Sequence, residues 1–573
     1  MSIVSLSDGS SSSFTAEDLK ELAAELNFEI TSNGDLQDYV RLLWSFEAVA
    51  KQVETGSDYI CPPLRPRPLS TSRRYWKPSR ANNPLNAWRH RCDLKAASPI
   101  SDLLKARTVA IKDSISVAGL PTTLGAAPLL FSQDGEFPLS EIDATVVSRL
   151  LDSGAAIKGT STCECFCASP LSCTAATGPV HNPRLCGYTA GGSSSGSCAL
   201  VAAHWLASGG GSGSGDAQLG ETVELAIGTD QAGSVRIPAS YNGLYGLKPT
   251  FGLIPYTGAA SMVAMIDHLG LIAHRLGDIA ALLESVAGYD GLDPRMSPES
   301  PLVGQVKPYS RLLADFGRQV VARAPQSGRG WKIGLLTESF DVAGVAAEVR
   351  DTVRGSARRF FEAVGATVLE VSIPQHLEGP ILWTAATRPS MSRWLYQGRS
   401  SGHLQFLPAH LQTRWPLSQP IYEALNSANP ALTNILLSER FAERFLPAGI
   451  EAKAHRKVFE LRDAYDRALE QVDVLITPCA PTLAMPHPGT PHHQANGPSV
   501  MDRLNPAIGL TSNTCPFNVT GHPAMNVPCG FASRPERPDI PLPIGMQIIG
   551  RRWSDEQVLN AAALFEKGRE LAS

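Results

Sequence analysis

The chain has 573 residues, of which 43% are hydrophobic and 18% are charged, a composition typical of globular proteins rather than disordered or fibrous ones. Its formal net charge is −4 and its pI is about 6.4, so no overall basic field indicates a nucleic-acid partner. No apolar run approaches the roughly 18 residues of a membrane-spanning helix, and the first residues lack the pattern of a signal peptide. We therefore expect a cytoplasmic protein that binds neither membranes nor nucleic acid.

Two amphipathic helices are predicted near the amino terminus, within residues 15–54. Thr15 can cap the first helix, because acidic residues follow in the first turn and leucines recur at helical spacing. Asp35 opens the second segment, which has a similar apolar face. Residues 56–82 are rich in Pro and Arg and are typical of a connector. Residues 1–82 are thus predicted to form a helical extension and linker.

From about residue 90 the patterns of strands and helices alternate, which predicts an α/β architecture with a sheet between helices. Short apolar runs predict strands at 108–111, 331–336 and 472–477. Helical periodicity is found at 143–151, 197–206, 346–364 and 451–471. We expect 208–224 to be a flexible polar insertion and 300–330 to be an irregular surface stretch.

The sequence predicts neither a metal nor a cofactor. Cys163, Cys165 and Cys167 are closely spaced, but no second pair or nearby histidine completes a zinc set. Small buried thiols explain these residues better. The glycine-rich segments also lack the spacing and context of a dinucleotide-binding loop.

Three polar segments carry the predicted chemistry: VAIKD at 109–113, TAGGSSSG at 189–196 and GTDQAGSVRIP at 228–238. A serine hydroxyl is a weak nucleophile until a base removes its proton. A lysine can be that base only when it is neutral, which burial among apolar neighbours favours. Lys112 follows core-type residues, and Asp113 should point to the opposite face of the strand, away from the amine.

The glycines around the serines suggest how the backbone contributes. Gly191 and Gly192 permit the unusual geometry that would hold Ser193 between the lysine and a nucleophile. The run Gln231-Ala232-Gly233-Ser234 can direct consecutive N–H groups at one point, which predicts an oxyanion hole beside Ser234. Asp230 and Arg236 are interpreted as a structural pair that holds this loop.

These segments resemble the signature of the amidase signature family, and further matching blocks run from NPLNAW (83–88) to PIGMQIIGRRWSDEQVL (543–559). The resemblance covers roughly residues 83–568 and implies a large mixed β-sheet surrounded by helices, with 83–573 as the catalytic domain. It further implies a hydrolase of small-molecule amides, with a Ser–cis-Ser–Lys triad and a covalent acyl-enzyme. Within the family the chain is most similar to enantioselective amidases, whose helical extension helps to form a homodimer.

The resemblance implies the following site, residue by residue. Lys112 matches the triad lysine, Ser193 the bridging cis-serine and Ser234 the nucleophile. The N–H groups of residues 231–234 match the oxyanion hole, Ser194 and Asp230 match supporting positions, and Cys167 matches a position that lines the acyl pocket.

Three features depart from the family pattern: Ala232 and Ser195 replace common glycines, and the insertion at 208–224 lengthens the link between two serines. Alanine would be strained at 232 if that position required a positive φ. A surface insertion has a small energetic cost.

Alternatives remain open. Gly192–Gly196 also fits G-x-S-x-G, which would make Ser194 the nucleophile of an α/β-hydrolase with His522 as a candidate base. Within the resembled family, a carbamate or ester hydrolase, or an amidotransferase A-like protein that works with a partner, fits the same residues. Residues 375–445 are predicted to cover the site, and their aromatics would favour an aryl or medium aliphatic acyl group if several face it: Trp383, Trp394, Tyr396, Phe406, Trp415 and Tyr422.

Overall fold

The computed structural model describes residues 6–209, 219–342, 344–396, 409–488 and 498–573. Most of the insertion predicted at 208–224, and Phe406, lie outside the described residues. The chain forms two compact units, Met1–Pro62 and Pro63–Ser573. Over the described residues, no helix is both long and apolar enough to cross a membrane.

The smaller unit contains helices α1 (Ala16–Glu25) and α2 (Asn33–Thr55). Thr15 caps α1 in a reciprocal box: its hydroxyl accepts the Asp18 N–H at 3.2 Å, and the Asp18 carboxylate accepts the Thr15 N–H at 2.7 Å. Ser32 caps α2, which begins two residues before the predicted Asp35. Both predicted helices are confirmed.

The larger unit has a sheet with helices packed on it. Its helices are α3 (Thr145–Asp152), α4 (Ser195–Ala207), α5 (Arg236–Asn242), α6 (Leu276–Val286), α7 (Tyr309–Arg323), α8 (Ala347–Ala363), α9 (Gly379–Thr387), α10 (Met391–Leu395), α11 (Gln419–Ala428), α12 (Pro430–Phe445), α13 (Ile450–Gln471), α14 (Val500–Leu504), α15 (Pro516–Thr520) and α16 (Asp555–Ala572). Its strands are β1 (Tyr75–Trp76), β2 (Trp88–Leu94), β3 (Thr108–Lys112), β4 (Ala156–Ser161), β5 (His181–Asn182), β6 (Leu185–Thr189), β7 (Leu225–Thr229), β8 (Tyr245–Lys248), β9 (Leu269–Ala273), β10 (Lys332–Leu336), β11 (Thr367–Val371), β12 (Val474–Pro478), β13 (Ala524–Arg534) and β14 (Arg537–Ile549).

Within the described residues, twelve strands form one mixed sheet in the order β1-β2-β4-β3-β7-β9-β8-β13-β14-β12-β10-β11, and β5 and β6 form a separate pair. β3 runs parallel to both β4 and β7, so these three strands end at the same edge of the sheet. β10 is likewise parallel to β11 and β12, whereas the remaining pairs are antiparallel. The predicted mixed sheet surrounded by helices is confirmed.

The side chains of β3 alternate between two buried layers. Val109 and Ile111 belong to the largest apolar cluster, whereas Ala110 packs with residues of α4 on the other face. Because alternate residues of a strand share a face, Lys112 follows Ala110 toward the amino-terminal end of α4. The sheet thereby brings the lysine to the serine-rich segment.

Two expectations change with the structure. Residues 300–330 are not all irregular: α7 occupies Tyr309–Arg323, with Tyr309 and Val320 buried. Helical spacing of its apolar residues outweighs the breaking effect of Pro308, which lies just before the helix. The second half of the predicted connector belongs to the larger unit, where Arg73 donates to Asp143 at 3.0 Å and to the Ala118 carbonyl at 3.0 Å.

Candidate active site

Lys112 and Ser193 are in direct contact, although 81 positions separate them in the sequence. Lys112 Nζ lies 2.7 Å from Ser193 Oγ, and both side chains are fully buried. The other neighbours of the amine are Thr229 Oγ1 at 2.8 Å and the Thr229 carbonyl at 3.3 Å. The peptide bond between Gly192 and Ser193 is cis.

Nearby carboxylates are committed to other cations. Asp113 accepts the N–H of Thr123 at 3.2 Å and lies 3.9 Å from Arg89, while Asp230 pairs with Arg236. Burial raises the pKa of Asp113 to about 6. Among the described residues, no carboxylate forms an ion pair with Lys112, as the predicted orientation of Asp113 requires.

Ser234 lies at the start of the turn between β7 and α5 and is 8% exposed. The Ser194 N–H donates to the Ser234 carbonyl at 3.1 Å, which joins the two serine-bearing loops directly. Ser234 lines a cavity of about 130 Å³, whose wall also contains Cys167, Gly192, Gln231 and Ala232.

The loop before Ser234 is held from below by the Asp230 carboxylate. This group accepts the Gly233 N–H at 2.7 Å and the Val235 N–H at 3.2 Å. Burial alone would raise the pKa of Asp230, but the Arg236 charge and hydrogen bonds from Arg236 and Asn518 outweigh burial and hold it well below its usual range. Arg236 donates at 2.8 and 2.9 Å in a bidentate pair, as predicted for a structural support.

The predicted oxyanion donors divide into two groups. The Gly233 N–H is already used by Asp230. In the part of the chain that the structure describes, the N–H groups of Gln231, Ala232 and Ser234 have no hydrogen-bond acceptor. Ala232 is free of the expected strain, because the positive φ of this turn, +122°, belongs to Gly233.

The remaining predicted residues have distinct surroundings. Ser194 is fully buried and its Oγ lies 3.4 Å from the Thr229 carbonyl, away from the Ser234 cavity. The Cys167 thiol lines that cavity, and the hydrogen bond from Cys163 lowers its pKa against the opposing effect of burial. His522 contacts Asp466 at 2.9 Å and Thr520 at 3.0 Å rather than Ser194.

The cap contributes fewer aromatics to the cavity than expected. Trp383 lines it and donates from Nε1 to the Gln231 carbonyl at 2.9 Å. Tyr396 is buried against Phe166, whereas Trp415 and Tyr422 are 39% and 40% exposed. The side chain of Trp394 lies outside the described residues. The cavity wall is otherwise mostly aliphatic: Ile237, Met262, Met391, Ala431 and Ile435.

Sequence reasoning missed several residues of the site. Thr229 ends β7 beside Asp230, so its polar side chain at a strand end was an available signal. Glu164 is buried behind the cis peptide and accepts from Ser195 Oγ at 3.0 Å and from Thr174 N at 2.7 Å, which gives the unusual Ser195 a partner. Trp383 and Arg388 carried no recognisable signal.

Among the described residues, no group of three or more His, Cys, Asp or Glu side chains is arranged to hold a metal ion. The cysteines at 163, 165 and 167 are free thiols. What the site offers chemically is therefore a buried amine in contact with one serine, a second serine at a cavity wall, and unpaired backbone N–H groups beside it.

The sequence model of the amidase family matches residues 79–216 and 205–559. The chain belongs to the amidase family. It is therefore an enzyme that acts on carbon–nitrogen bonds, and its large mixed sheet is the fold of this family.

Similar proteins come from several branches of the amidase family. An enantioselective amidase from Rhodococcus rhodochrous is 35% identical over 508 residues, which cover 88% of this chain and 87% of that protein. The A-type component of the glutamyl-tRNA(Gln) amidotransferase of Methanosarcina mazei is 31% identical, with coverage of 81% and 84%. The crystal structure of a peptide amidase from Stenotrophomonas maltophilia superposes with a TM-score of 0.59 at 24% identity, covering 81% of this chain and 82% of that one.

Proposed function

We propose that this protein hydrolyses a carboxylic amide of a small molecule through an acyl-enzyme on Ser234. The observation that carries the proposal is the 2.7 Å contact between Lys112 Nζ and Ser193 Oγ at the edge of the cavity that Ser234 lines. The 35% identity to an enantioselective amidase supports the same reaction.

The geometry around Lys112 suits a neutral amine. Such an amine has two N–H donors and one lone pair. Thr229 offers two acceptors, its hydroxyl and its carbonyl, which leaves the lone pair to accept the Ser193 hydroxyl proton. A buried ammonium with no paired carboxylate would carry a large desolvation cost, and this favours the neutral form.

The proposed reaction then runs in two halves. Ser234 Oγ attacks the amide carbonyl while its proton passes to Ser193, whose own proton passes to Lys112. The oxyanion of the tetrahedral intermediate accepts hydrogen bonds from the free N–H groups beside Ser234. The carbon–nitrogen bond breaks as the proton returns to the leaving amine, and a water molecule repeats the sequence on the acyl-enzyme to release the acid.

Labelling distinguishes this proposal from the elbow alternative. A fluorophosphonate should modify Ser234, and mass spectrometry should find the adduct on the peptide around residues 228–236. Ser234→Ala should lose labelling and turnover. Ser194→Ala should keep labelling, and Ser193→Ala should label slowly because the nucleophile loses its proton path. An adduct on Ser194 would contradict the proposed mechanism.

A second candidate is an amidotransferase A-like protein, which the 31% identity to the Methanosarcina mazei protein favours. Such a protein would need a partner, whereas an independent amidase releases ammonia from simple amides alone. Assay of the purified chain on aliphatic and aryl amides, on glutamine and on ethyl carbamate separates the two. The carbamate also tests urethane hydrolysis, which would use the same groups, and an alkyl ester tests esterase activity.

We also propose that the protein is a homodimer assembled through the α1–α2 unit. Several large apolar side chains of these helices are exposed on the side opposite their small core of Leu19, Leu36 and Val40. An apolar face of this kind is stabilised when a second copy covers it.

A further inference from the structure

The Ser234 cavity contains one charged side chain that the proposed reaction does not use. Arg388 follows the last residue of α9 and lines the same cavity as Ser234, Gln231 and Ala232. Neither acidic residues nor other cations share this lining, which is otherwise aliphatic, aromatic or weakly polar. A single cation therefore dominates the electrostatics of the cavity.

The Arg388 guanidinium has no protein partner in the described part of the chain. Its Nε is buried without a hydrogen-bond acceptor, and no carboxylate pairs with the group among the described residues. The nearest segment outside the description, 397–408, contains no Asp or Glu in its sequence. Burial lowers the pKa of Arg388 through desolvation, which indicates a charge that lacks compensation.

The position of Arg388 relative to the reacting groups is fixed by α9. Trp383, on the same helix, donates to the Gln231 carbonyl at 2.9 Å, so the helix is tied to the loop that carries Ser234. Thr387 Oγ1 donates to the Trp383 carbonyl at 2.7 Å, and the side chain of His455 lies 3.0 Å from the Ala386 carbonyl. The arginine thus begins from an anchored backbone and not from a free loop.

We propose that Arg388 selects amides that carry a carboxylate group. This inference rests on the proposed function, since it names the substrate class of the same site. A planar guanidinium with unused donors binds a carboxylate through two parallel hydrogen bonds, and the substrate would supply the anion that the protein does not. The size of the cavity, about 130 Å³, suits short substrates such as monoamides of dicarboxylic acids.

Arg388 also lines a larger neighbouring groove of about 630 Å³, together with Leu437 and Phe441 of α12. The guanidinium therefore stands where the cavity and the groove meet. A substrate carboxylate could reach it from the cavity while the groove accommodates solvent or a longer chain.

The test compares matched amides with and without the charge. The pairs are succinamate with butanamide, and glutaramate with pentanamide, assayed on the full-length protein by ammonia release. We expect kcat/KM for the anionic member of at least one pair to exceed that of the neutral member by roughly 10- to 100-fold, the range of a charge-assisted hydrogen bond. Arg388→Met should collapse this ratio, and Arg388→Lys should give an intermediate ratio.

Arg456→Met is the matched control, because Arg456 is an exposed arginine of α13, and it should leave the ratio unchanged. Wild-type protein that prefers the neutral amide in both pairs, or a ratio that Arg388→Met does not alter, would overturn the inference while leaving the amidase reaction intact. Circular dichroism checks that each variant is folded.

Binding of succinate, measured by calorimetry, separates failure of this inference from failure of the proposed function. If no amide is hydrolysed but succinate binds to the wild type and at least ten-fold more weakly to Arg388→Met, the anion site stands and the reaction assignment fails. If amides are hydrolysed but succinate binds both proteins equally, the reaction stands and the anion site fails.

Discussion

Lys112 Nζ and Ser193 Oγ lie 2.7 Å apart in a fully buried region, and Thr229 supplies the two other polar contacts of the amine. The contact depends on the sheet: β3 ends at Lys112, β7 ends at Thr229, and these two parallel strands are neighbours. The proposed base is therefore positioned by strand register, and its partner serine by the turn that begins α4.

Lys112→Ala should abolish turnover, with a loss of several powers of ten, because no other described basic group contacts Ser193. The measurement is steady-state ammonia release, with near-ultraviolet circular dichroism to check that the variant is folded. Lys453→Ala, at an exposed position of α13, is the matched control and should retain activity. A Lys112→Ala protein with a tenth of wild-type activity would exclude the proposed triad.

Arg236→Met should destabilise the fold strongly, by about 3–5 kcal/mol, because it leaves the buried Asp230 carboxylate without its cation. Arg236 also donates to Gln547 at 2.6 Å and Asn518 at 2.7 Å, so acceptors on two further elements lose their donor. Urea unfolding measures the loss.

The control for this prediction is Arg537→Met, which removes a surface pair with Asp539. Its unfolding midpoint should hardly change, because solvent screens such pairs. Equal midpoints for the Arg236→Met and wild-type proteins would show that the buried pair does not hold the Ser234 loop.

The sequence sufficed to predict the core of the fold and of the site. The strand that ends at Lys112, the helix behind Gly191–Gly196 and the Asp230–Arg236 pair could all be predicted, because each depends on local apolar patterning or on residues close in the chain. The cap could not be predicted. Whether an aromatic residue such as Tyr396 enters the core or the cavity depends on how α9–α12 pack, and the local sequence does not encode this.

The same distinction explains the oxyanion donors. Four consecutive N–H groups near Ser234 were predicted to act together, yet the Gly233 N–H binds the Asp230 carboxylate at 2.7 Å. Asp230 was correctly interpreted as a support, but which backbone group it holds follows from the turn geometry. Glu164 was missed for a related reason, because its partners Thr174 and Ser195 come together only through the tertiary fold.

Glu164→Gln should change how stability depends on pH. Burial raises the pKa of Glu164 to about 7, so the folded state holds this proton more tightly than the unfolded chain, whose carboxyl titrates near 4.5. The stability that protonated Glu164 contributes is therefore complete below about pH 4.5 and is lost as pH rises through 7. Glutamine mimics the protonated acid, because its NH₂ can donate to Ser195 while its oxygen accepts from Thr174.

Urea unfolding at pH 5 and pH 8 measures this effect. Relative to wild type, Glu164→Gln should gain stability between the two pH values by on the order of 3 kcal/mol. Glu423→Gln, at an exposed position of α11, is the control and should follow the wild-type pH dependence. If Glu164→Gln tracks the wild type at both pH values, the carboxyl is not protonated in the folded protein near neutral pH.

The proposed dimer depends on the outward side chains of α1 and α2. Leu26 on the carboxyl-terminal side of α1 is 68% exposed and Phe46 on α2 is 70% exposed, while Leu19 and Val40 form the core between the helices. Leu26→Glu combined with Phe46→Glu should therefore leave the helical pair folded and remove the apolar surface that a second copy would cover. Sedimentation at micromolar concentration should give twice the chain mass of 61.2 kDa for the wild type and a single chain mass for the double variant. Val321→Glu, at a residue of α7 that is 66% exposed, controls for the loss of surface apolarity elsewhere and should sediment as the wild type does. A monomeric wild-type protein at these concentrations would rule the dimer out, and a dimeric double variant would assign the interface to another surface.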